Sequence, residues 1–161
     1  MSASKSHSRS VSRVEQHLGY WLRLVSNNVS AAFARRLEAL DVSVSEWVAM
    51  RKLFDQRAPI SISALAEQMG MTKAPVSRLV ERLVQKELVD RQDSRNDGRA
   101  QQIWLSSAGQ KLVPKLAAIA DENDKAFFGH LPVNVRPVMI ALMQDIAKRH
   151  RLAQARVERA R

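Results

Sequence analysis

The sequence contains no cysteine among its 161 residues, which excludes disulfide bonds, thiolate metal ligands and thiol-based redox sensing. It also lacks an uninterrupted apolar run of roughly 18 residues, the length that a membrane-spanning helix needs, so no transmembrane segment is predicted. The first ten residues are rich in serine and contain no apolar core, so we expect no secretory signal. These absences lead us to expect a cytoplasmic protein without a membrane partner.

Catalytic and metal-binding constellations are missing as well. The serines are not accompanied by a paired histidine and acid, and no glycine-rich phosphate loop follows a predicted strand. No two histidines are spaced four residues apart, as a helical metal site would require. The histidines are His7, His17, His130 and His150. We therefore expect no enzymatic activity, no bound metal and no cofactor.

The formal net charge is +10, and most of the basic excess lies near the two ends of the chain. Residues 1–14 contain three basic residues and no acidic one, and residues 145–161 contain six basic and two acidic ones. Basic segments attract phosphates without regard to sequence, but they also simply keep a protein soluble. Charge alone therefore leaves DNA binding undecided. We interpret residues 1–12 as a disordered, serine-rich arm and residues 154–161 as a basic tail.

Apolar residues recur every three or four positions in three long segments, which predicts long helices over residues 13–40, 107–128 and 133–153. A first helix of about 26 residues would be ~39 Å long. That length exceeds what a compact domain of this size needs, so we expect part of this helix to pack on another subunit. We also expect Pro114 to kink the second helix. In the third helix, the residues predicted to be buried are Val135, Val138, Met139, Leu142, Met143 and Ile146.

Residues 45–106 have the layout of a winged helix-turn-helix, and the fold class predicted is mainly α with a small β-hairpin wing. A helix that Ser45 could cap comes first. Two short amphipathic helices follow, with Ser63 and Thr72 as candidate caps and Gly70 between them. Two strands, 88–91 and 101–105, then flank a loop rich in turn-forming residues. This module places its second helix in the major groove of DNA.

The exposed face of that second helix carries hydroxyl, cationic and small side chains. Hydroxyl and ammonium groups can bond phosphate oxygens, arginine can donate two hydrogen bonds to guanine, and alanine can approach a thymine methyl group. The candidate DNA contacts are Thr72, Lys73, Ala74, Ser77 and Arg78 on the helix, with Arg95 and Arg99 in the hairpin loop near the minor groove. The alternative is that Lys73, Arg78 and Arg82 form an ordinary solvated face. The order of glycine, capped helix and basic hairpin favours DNA binding.

The stretch A-L-A-E-Q-M-G-M-T-K-A-P-V-S-R-L-V-E-R-L-V-Q-K-E-L-V-D-R, followed by D-G-R-A and W-L-S-S-A-G, resembles the MarR family of bacterial transcription regulators. The resemblance implies a homodimer built from the terminal helices (residues 13–44 and 107–153), a palindromic operator, and release from DNA by a small, often aromatic, acid. It also implies that Arg99 enters the minor groove while Asp97 holds an arginine in place. The chain departs from the family pattern at Glu87, where glycine is common, and between Asp93 and Asp97.

Two aromatic residues are candidates for lining a ligand cleft, namely Trp21 and Trp47, with His17 or Arg51 as a polar anchor. The alternative for both tryptophans is ordinary packing in the core. The leading functional hypothesis is a dimeric, ligand-responsive repressor. One alternative is an architectural or nucleoid protein that coats DNA through its basic ends. Another is a winged helix that serves only for protein interaction.

Overall fold

The computed structural model of the chain describes residues 11–93 and 101–152, and it confirms a mainly helical fold with a small antiparallel sheet. A short 3-10 turn, Val14–Gln16, precedes the first helix. The elements that follow are α1 Leu18–Glu38, α2 Val44–Phe54, β1 Ile60–Ser61, α3 Ile62–Gln68, α4 Lys73–Gln85, β2 Val89–Asp93, β3 Gln101–Leu105, α5 Ser107–Phe128 and α6 Val135–Arg149. In the part of the chain that is described, no helix has the length and apolar character needed to cross a membrane.

Two helices begin earlier than the sequence predicted, because a different serine caps each of them. At α2 the cap is Ser43 rather than Ser45: its hydroxyl accepts a hydrogen bond from the Glu46 amide (3.2 Å), and the Glu46 carboxylate accepts one from the Ser43 amide (2.8 Å). Such a reciprocal pair needs an acidic or amide side chain three residues after the cap, which Ser45 lacks. At α3 the cap is Ser61 rather than Ser63, and its hydroxyl accepts from the amide of Ala64.

The last two helices differ in how well the sequence predicted their bounds. Helix α5 spans the predicted residues, and its N-cap, Ser106, accepts a hydrogen bond from the amide of Gly109 (3.1 Å). Pro114 lies inside this helix, and a kink there stays a prediction. Helix α6 is shorter than predicted at both ends. The apolar pattern continues beyond a helix end wherever the flanking residues are apolar, so it does not define the bounds.

The core lies beneath the helix-turn-helix, between α2, α3, α4, the sheet and the first half of α5. Most apolar positions with helical or strand spacing in the winged module are buried, whereas Val84 is half-buried. The buried ones are Ile62, Leu65, Ala66, Met69, Val76, Leu79, Val80, Leu83, Val89, Ile103 and Leu105. Helix α1 joins this core through Leu37 and packs along α5, where the buried Asn123 amide donates to the carbonyl of Val29 (3.2 Å). The sheet order is β1-β3-β2, with both pairings antiparallel.

The prediction that the apolar side of α6 is buried is wrong for the single chain. Leu142 is 56% exposed, Val135 is half-buried, and the other predicted positions, Val138, Met139, Met143 and Ile146, are exposed. The first half of α1 is similar, with Leu18, Trp21 and Val25 exposed. Periodicity identifies the apolar side of a helix but not what covers it. In this chain the apolar sides of both terminal helices face solvent over much of their length.

Candidate nucleic-acid interface

Helix α4 presents the predicted reading face to solvent. Thr72, Lys73, Ala74 and Arg78 are exposed, and Ser77 is half-buried at the edge of the face. Within residues 11–93 and 101–152, neither the Lys73 side chain nor the Arg78 side chain makes a hydrogen bond or an ion pair. The two cationic groups therefore have no described protein partner that a phosphate or base would have to displace.

The beginning of α4 has an open cap. Thr72 occupies the N-cap position with extended backbone (φ −74°, ψ 157°), as predicted, but its side chain accepts no capping hydrogen bond. The first amides of a helix have no acceptor within the helix, and they favour anions at that end. Pro75 has no amide hydrogen, so it contributes no unpaired donor at this end. The Thr72 hydroxyl and the amides of Lys73 and Ala74 are consequently available to a phosphate.

The opposite side of α4 fixes the helix in the module. Val76, Leu79, Val80 and Leu83 are each at most 2% exposed and pack on the core that includes α3. The turn between α3 and α4 passes through Gly70 with φ 63°, a left-handed conformation that glycine adopts without steric cost. The Met71 amide donates to the carbonyl of Ala66 (2.9 Å) and closes that turn. The reading face is thus held on a rigid support.

The turn after α4 keeps its left-handed geometry although it lacks the glycine that the family pattern often has. Glu87 adopts φ 58°, and the Leu88 amide donates to the carbonyl of Leu83 (2.9 Å). A left-handed residue other than glycine costs roughly 1–2 kcal/mol. The Ser106 hydroxyl donates to the Glu87 carbonyl (2.6 Å), which helps to hold the residue in this conformation. The departure at Glu87 therefore leaves the turn intact.

The wing is an antiparallel pair that runs from Val89 opposite Leu105 to Asp93 opposite Gln101. Val89, Ile103 and Leu105 are buried, and Ile103 and Leu105 follow the two-residue period of a strand. The loop at its tip, with Arg95, Asp97 and Arg99, lies outside the described residues. The roles assigned to these three residues stay predictions.

Sequence reasoning overlooked Glu46, whose side chain is 3% exposed and lies at the end of the reading helix. Its carboxylate is 3.2 Å from Lys86 Nζ and 3.7 Å from Arg82 Nε. Burial alone would raise the pKa of Glu46. The hydrogen bonds from the Ser43 amide, Lys86 and the Ser43 hydroxyl, with the charge of Lys86, outweigh burial and hold the pKa below its ordinary value. The serine-x-x-glutamate spacing at Ser43 was the signal that could have identified this residue.

The four residues proposed for a ligand cleft engage other neighbours. The His17 ring lies 3.1 Å from the hydroxyl of Ser12, and Trp21 Nε1 donates to the carbonyl of Glu15 (2.8 Å). Trp47 is half-buried against the core, and Arg51 pairs with Asp55 and stacks over Phe54. Among the residues described, no hydrogen bond or ion pair joins any two of His17, Trp21, Trp47 and Arg51.

A different cleft, of about 400 Å³, lies between the end of α2 and the base of the wing. Its walls include Phe54, Arg57, Trp104 and Gln110. Phe54 lies at the end of α2, where the chain turns away toward β1, and it is 44% exposed. Trp104 lies between the buried Ile103 and Leu105, so its side chain points to the outer face of the sheet. A volume of this size is in the range of small-molecule sites.

The described part of the chain holds no cluster of three or more His, Cys, Asp or Glu residues that could bind a metal ion.

The chain is similar to known regulators in sequence and in fold. Residues 42–100 match the model of the MarR family. The transcriptional regulator HosA of Escherichia coli O157:H7 is 27% identical over 109 residues, which is 68% of this chain and 80% of HosA.

Solved structures show the same fold. The S. aureus MepR-DNA complex superposes with a TM-score of 0.74 at 22% identity, covering 82% of this chain and 97% of that one. CouR from Rhodococcus jostii RHA1 bound to p-coumaroyl-CoA gives a TM-score of 0.73 at 23% identity, covering 85% and 96%. At these identities the superpositions establish the winged-helix architecture.

Proposed function

Because the chain belongs to the MarR family of transcriptional regulators, we propose that it is a homodimeric repressor that binds a palindromic operator. The observation that carries the proposal is the reading face of α4. It combines exposed cationic groups that have no described partner with an open helix N-terminus, on a helix whose other side is buried. The fold shared with MepR, whose structure is a complex with DNA, supports the same assignment.

The residue types on α4 suit both parts of DNA recognition. Lys73 and Thr72, with the first-turn amides, bind the phosphate backbone and set the register of the helix. Arg78 lies one and a half turns further on, where it reaches the base edges and donates two hydrogen bonds to a guanine. Ala74 and Ser77 lie between them and allow the helix to approach closely. In the proposed complex, Arg95 and Arg99 follow the minor groove beside the wing, and Asp97 orients an arginine.

The terminal helices supply the dimer. Their apolar sides are exposed over much of α1 and α6, and burying such surfaces contributes about 25 cal/mol for each Å² removed from water. The family implies that a second copy of the chain covers these apolar sides. The dimer then has two reading helices, one for each half of a palindrome. Two winged modules, one from each protomer, also double the number of phosphate contacts, which raises the affinity for DNA and its dependence on salt.

A small-molecule effector completes the proposed regulation. CouR, which shares this fold, was solved with p-coumaroyl-CoA bound. In this chain the cleft formed by Phe54, Arg57, Trp104 and Gln110 lies where α2 meets the wing. This cleft combines two aromatic side chains with a cation and an amide. The alternative ligand-binding residues are those proposed from the sequence, namely His17, Trp21, Trp47 and Arg51. An effector in this cleft lowers DNA affinity only if it binds the DNA-free conformation more tightly than the DNA-bound one.

Selection of bound sequences from random double-stranded DNA, at two salt concentrations, tests the proposal. We expect a two-fold symmetric consensus whose two halves are about one helical turn apart. Arg78→Ala is expected to weaken binding to that consensus by at least about tenfold. Lys125→Ala removes the same charge from an exposed site on α5, away from the reading face, and is expected to change the affinity much less.

Other outcomes separate the alternatives. Absence of any consensus, with binding lost on deletion of residues 1–12 and 150–161, would identify a protein that coats DNA through its basic ends. Unchanged DNA affinity in the Arg78→Ala, Arg99→Ala double variant would instead favour a module for protein interaction. A repressor is expected to keep its sequence preference after the terminal deletions and to lose only part of its affinity.

A further inference from the structure

An ionic junction around the buried carboxylate of Glu46 joins the end of the reading helix to the corner between α1 and α2. Glu46 on α2 has a side chain that is 3% exposed. One carboxylate oxygen, Oε2, accepts hydrogen bonds from the Ser43 amide (2.8 Å) and from Lys86 Nζ (3.2 Å), and the other, Oε1, is 3.7 Å from Arg82 Nε. Both cations belong to the last turn of α4 or to its cap. A single carboxylate therefore bridges two helices that are far apart in sequence.

Lys86 extends the junction to the preceding turn. Its ammonium group donates to the backbone carbonyl of Asp41 (2.5 Å) and lies 3.4 Å from the Asp41 carboxylate. Asp41 has φ 54°, so this turn holds a residue in the left-handed conformation. The turn between α1 and α2 and the end of α4 are thus connected through one side chain, which is only 27% exposed.

Each charge also complements the helix on which it lies. Glu46 is in the first turn of α2, where the positive end of the helix dipole favours an anion, and Lys86 caps α4, where the negative end favours a cation. The junction therefore brings the N-terminus of α2 and the C-terminus of α4 together, end to end. This arrangement fixes the position of the α4 end as well as neutralising it.

Beside the junction the two helix ends are separated by an open cleft that charged and apolar side chains line together, Val42 and Val44 among the apolar ones. The cleft has a volume of about 520 Å³, and its walls include Glu38, Asp41, Arg82 and Lys86. A buried ion pair contributes little net stability, because desolvation of the charges offsets their attraction, and a well-packed apolar replacement is often as stable or more so. What the junction provides that apolar side chains would not is a specific geometry between the two helices.

We propose that Glu46 is a positioning residue that sets the direction of α4 relative to the α1–α2 corner, and hence the spacing between the two reading helices of the dimer. The inference rests on the proposed function, since the corner belongs to the helices that pair the protomers. Helix α4 has 13 residues and is ~20 Å long. A change of angle about its C-terminal end, shared with the core on which α4 packs, displaces the distant N-terminal end, which carries Thr72 and Lys73, the most.

The first test measures this geometry without DNA. The chain has no cysteine, so Ala74→Cys places one spin label at the N-terminal end of α4 in each protomer. We expect a narrow distribution of label-to-label distances in the otherwise unchanged protein, and a distribution about twice as broad or displaced in Glu46→Gln. Glu38→Gln removes the same charge from the wall of the same cleft and is expected to keep the narrow distribution. An unchanged distribution in Glu46→Gln would overturn the inference, whereas no intermolecular distance in any variant would overturn the dimer itself.

The second test uses the selected operator and versions with one base pair inserted or removed between its halves. The unchanged protein is expected to bind the altered spacings at least about tenfold more weakly, and Glu46→Gln to bind the original site about tenfold more weakly with little discrimination among spacings. Lys86→Gln breaks the junction through a less buried side chain. The Glu46→Gln, Lys86→Gln double variant restores the net charge. It is expected to behave like each single variant, because each substitution alone already breaks the same Glu46–Lys86 interaction.

The spacing series also separates positioning from plain destabilisation. If Glu46→Gln lowers Tm and weakens binding equally at every spacing, Glu46 is merely structural and the inference is wrong. If Glu46→Gln fails to fold, Lys86→Gln takes its place in the series. Full discrimination among operator spacings by Lys86→Gln would then show that the inference is wrong. Failure of the unchanged protein to select a symmetric site would refute the proposed function instead.

Discussion

Replacing Gly109 by alanine is expected to destabilise the protein, although alanine is the better helix former. Gly109 lies in the first turn of α5, directly against the chain that leaves α4. A Cβ atom at this position would be 2.1 Å from the carbonyl oxygen of Leu88 and 3.1 Å from a methyl group of Leu105. That carbonyl also accepts a hydrogen bond from the Ser106 amide (3.1 Å). The added methyl group therefore collides with backbone and not with a flexible side chain.

The size of the effect follows from these contacts. Helix and strand must separate by about 1.3 Å before the Cβ reaches ordinary contact with the Leu88 oxygen at 3.4 Å. Overpacking of this kind costs about 1–3 kcal/mol, and loss of the Ser106 hydrogen bond adds about 1 kcal/mol. Alanine returns up to about 1 kcal/mol through its helix propensity. The net expectation is a loss of about 2 kcal/mol, or roughly 4–8 °C in Tm.

Gly19→Ala is the matched control. Gly19 is in the first turn of α1, and a Cβ there would meet nothing within 4 Å. The same substitution is expected to be neutral or to stabilise by about 0.5 kcal/mol. Thermal unfolding followed by circular dichroism, at equal protomer concentration because a dimer's Tm depends on concentration, measures both variants. A Gly109→Ala protein as stable as the Gly19→Ala control would refute the assignment of a close contact between α5 and Leu88.

Three further substitutions test other features. Ser43→Ala is expected to lower the free energy of unfolding by about 1 kcal/mol and Thr72→Ala by less than about 0.5 kcal/mol, because only the Ser43 hydroxyl caps its helix. Leu142→Glu is expected to yield monomers in light scattering, whereas Gln144→Glu, which adds the same charge to α6, leaves the dimer. Since the pKa of Glu46 is lowered, its contribution to stability is present at neutral pH and is lost as the pH falls below about 4.5. Chemical unfolding should therefore show the gap between the unchanged protein and Glu46→Gln narrowing in acid.

Each of these has a clear contrary result. Equal losses of unfolding free energy in Ser43→Ala and Thr72→Ala would mean that the Thr72 side chain caps α4 after all. A dimeric Leu142→Glu protein would exclude this part of α6 from the interface. A stability gap at Glu46 that stays constant from neutral pH to about pH 3 would show that its charge contributes nothing.

The sequence predicted the winged module well because its local signals and its burial agree. Leu79 and Leu83 are buried where the helical period placed them, and Gly70 has the positive φ that its position between two helices required. The cap of α2 was assigned wrongly because two serines, Ser43 and Ser45, compete in one short segment. The reciprocal bond with Glu46, which decides between them, becomes visible only when both spacings are compared.

The site was harder to predict than the fold. Exposure of Lys73 and Arg78 follows from the period of α4, so the reading face could be named from the sequence. The junction at Glu46 depends on Lys86, which is 40 residues away, and no local pattern reports such a contact. The exposed side of α6 is the converse case. Leu142 has the spacing of a core residue, but no described part of the chain covers it.

The shortness of β1 has a consequence for how copies of this protein meet. Strands β1 and β2 are the two edges of the sheet, and an edge with unpaired amides and carbonyls can recruit a strand from another molecule. Strand β1 contains only Ile60 and Ser61 before the chain turns into α3, and Asp90 and Arg91 place charges on β2. Both edges therefore resist strand addition and fibre-like assembly. In the proposed dimer, this leaves the apolar sides of the terminal helices, and not the sheet, as the surface through which two copies meet.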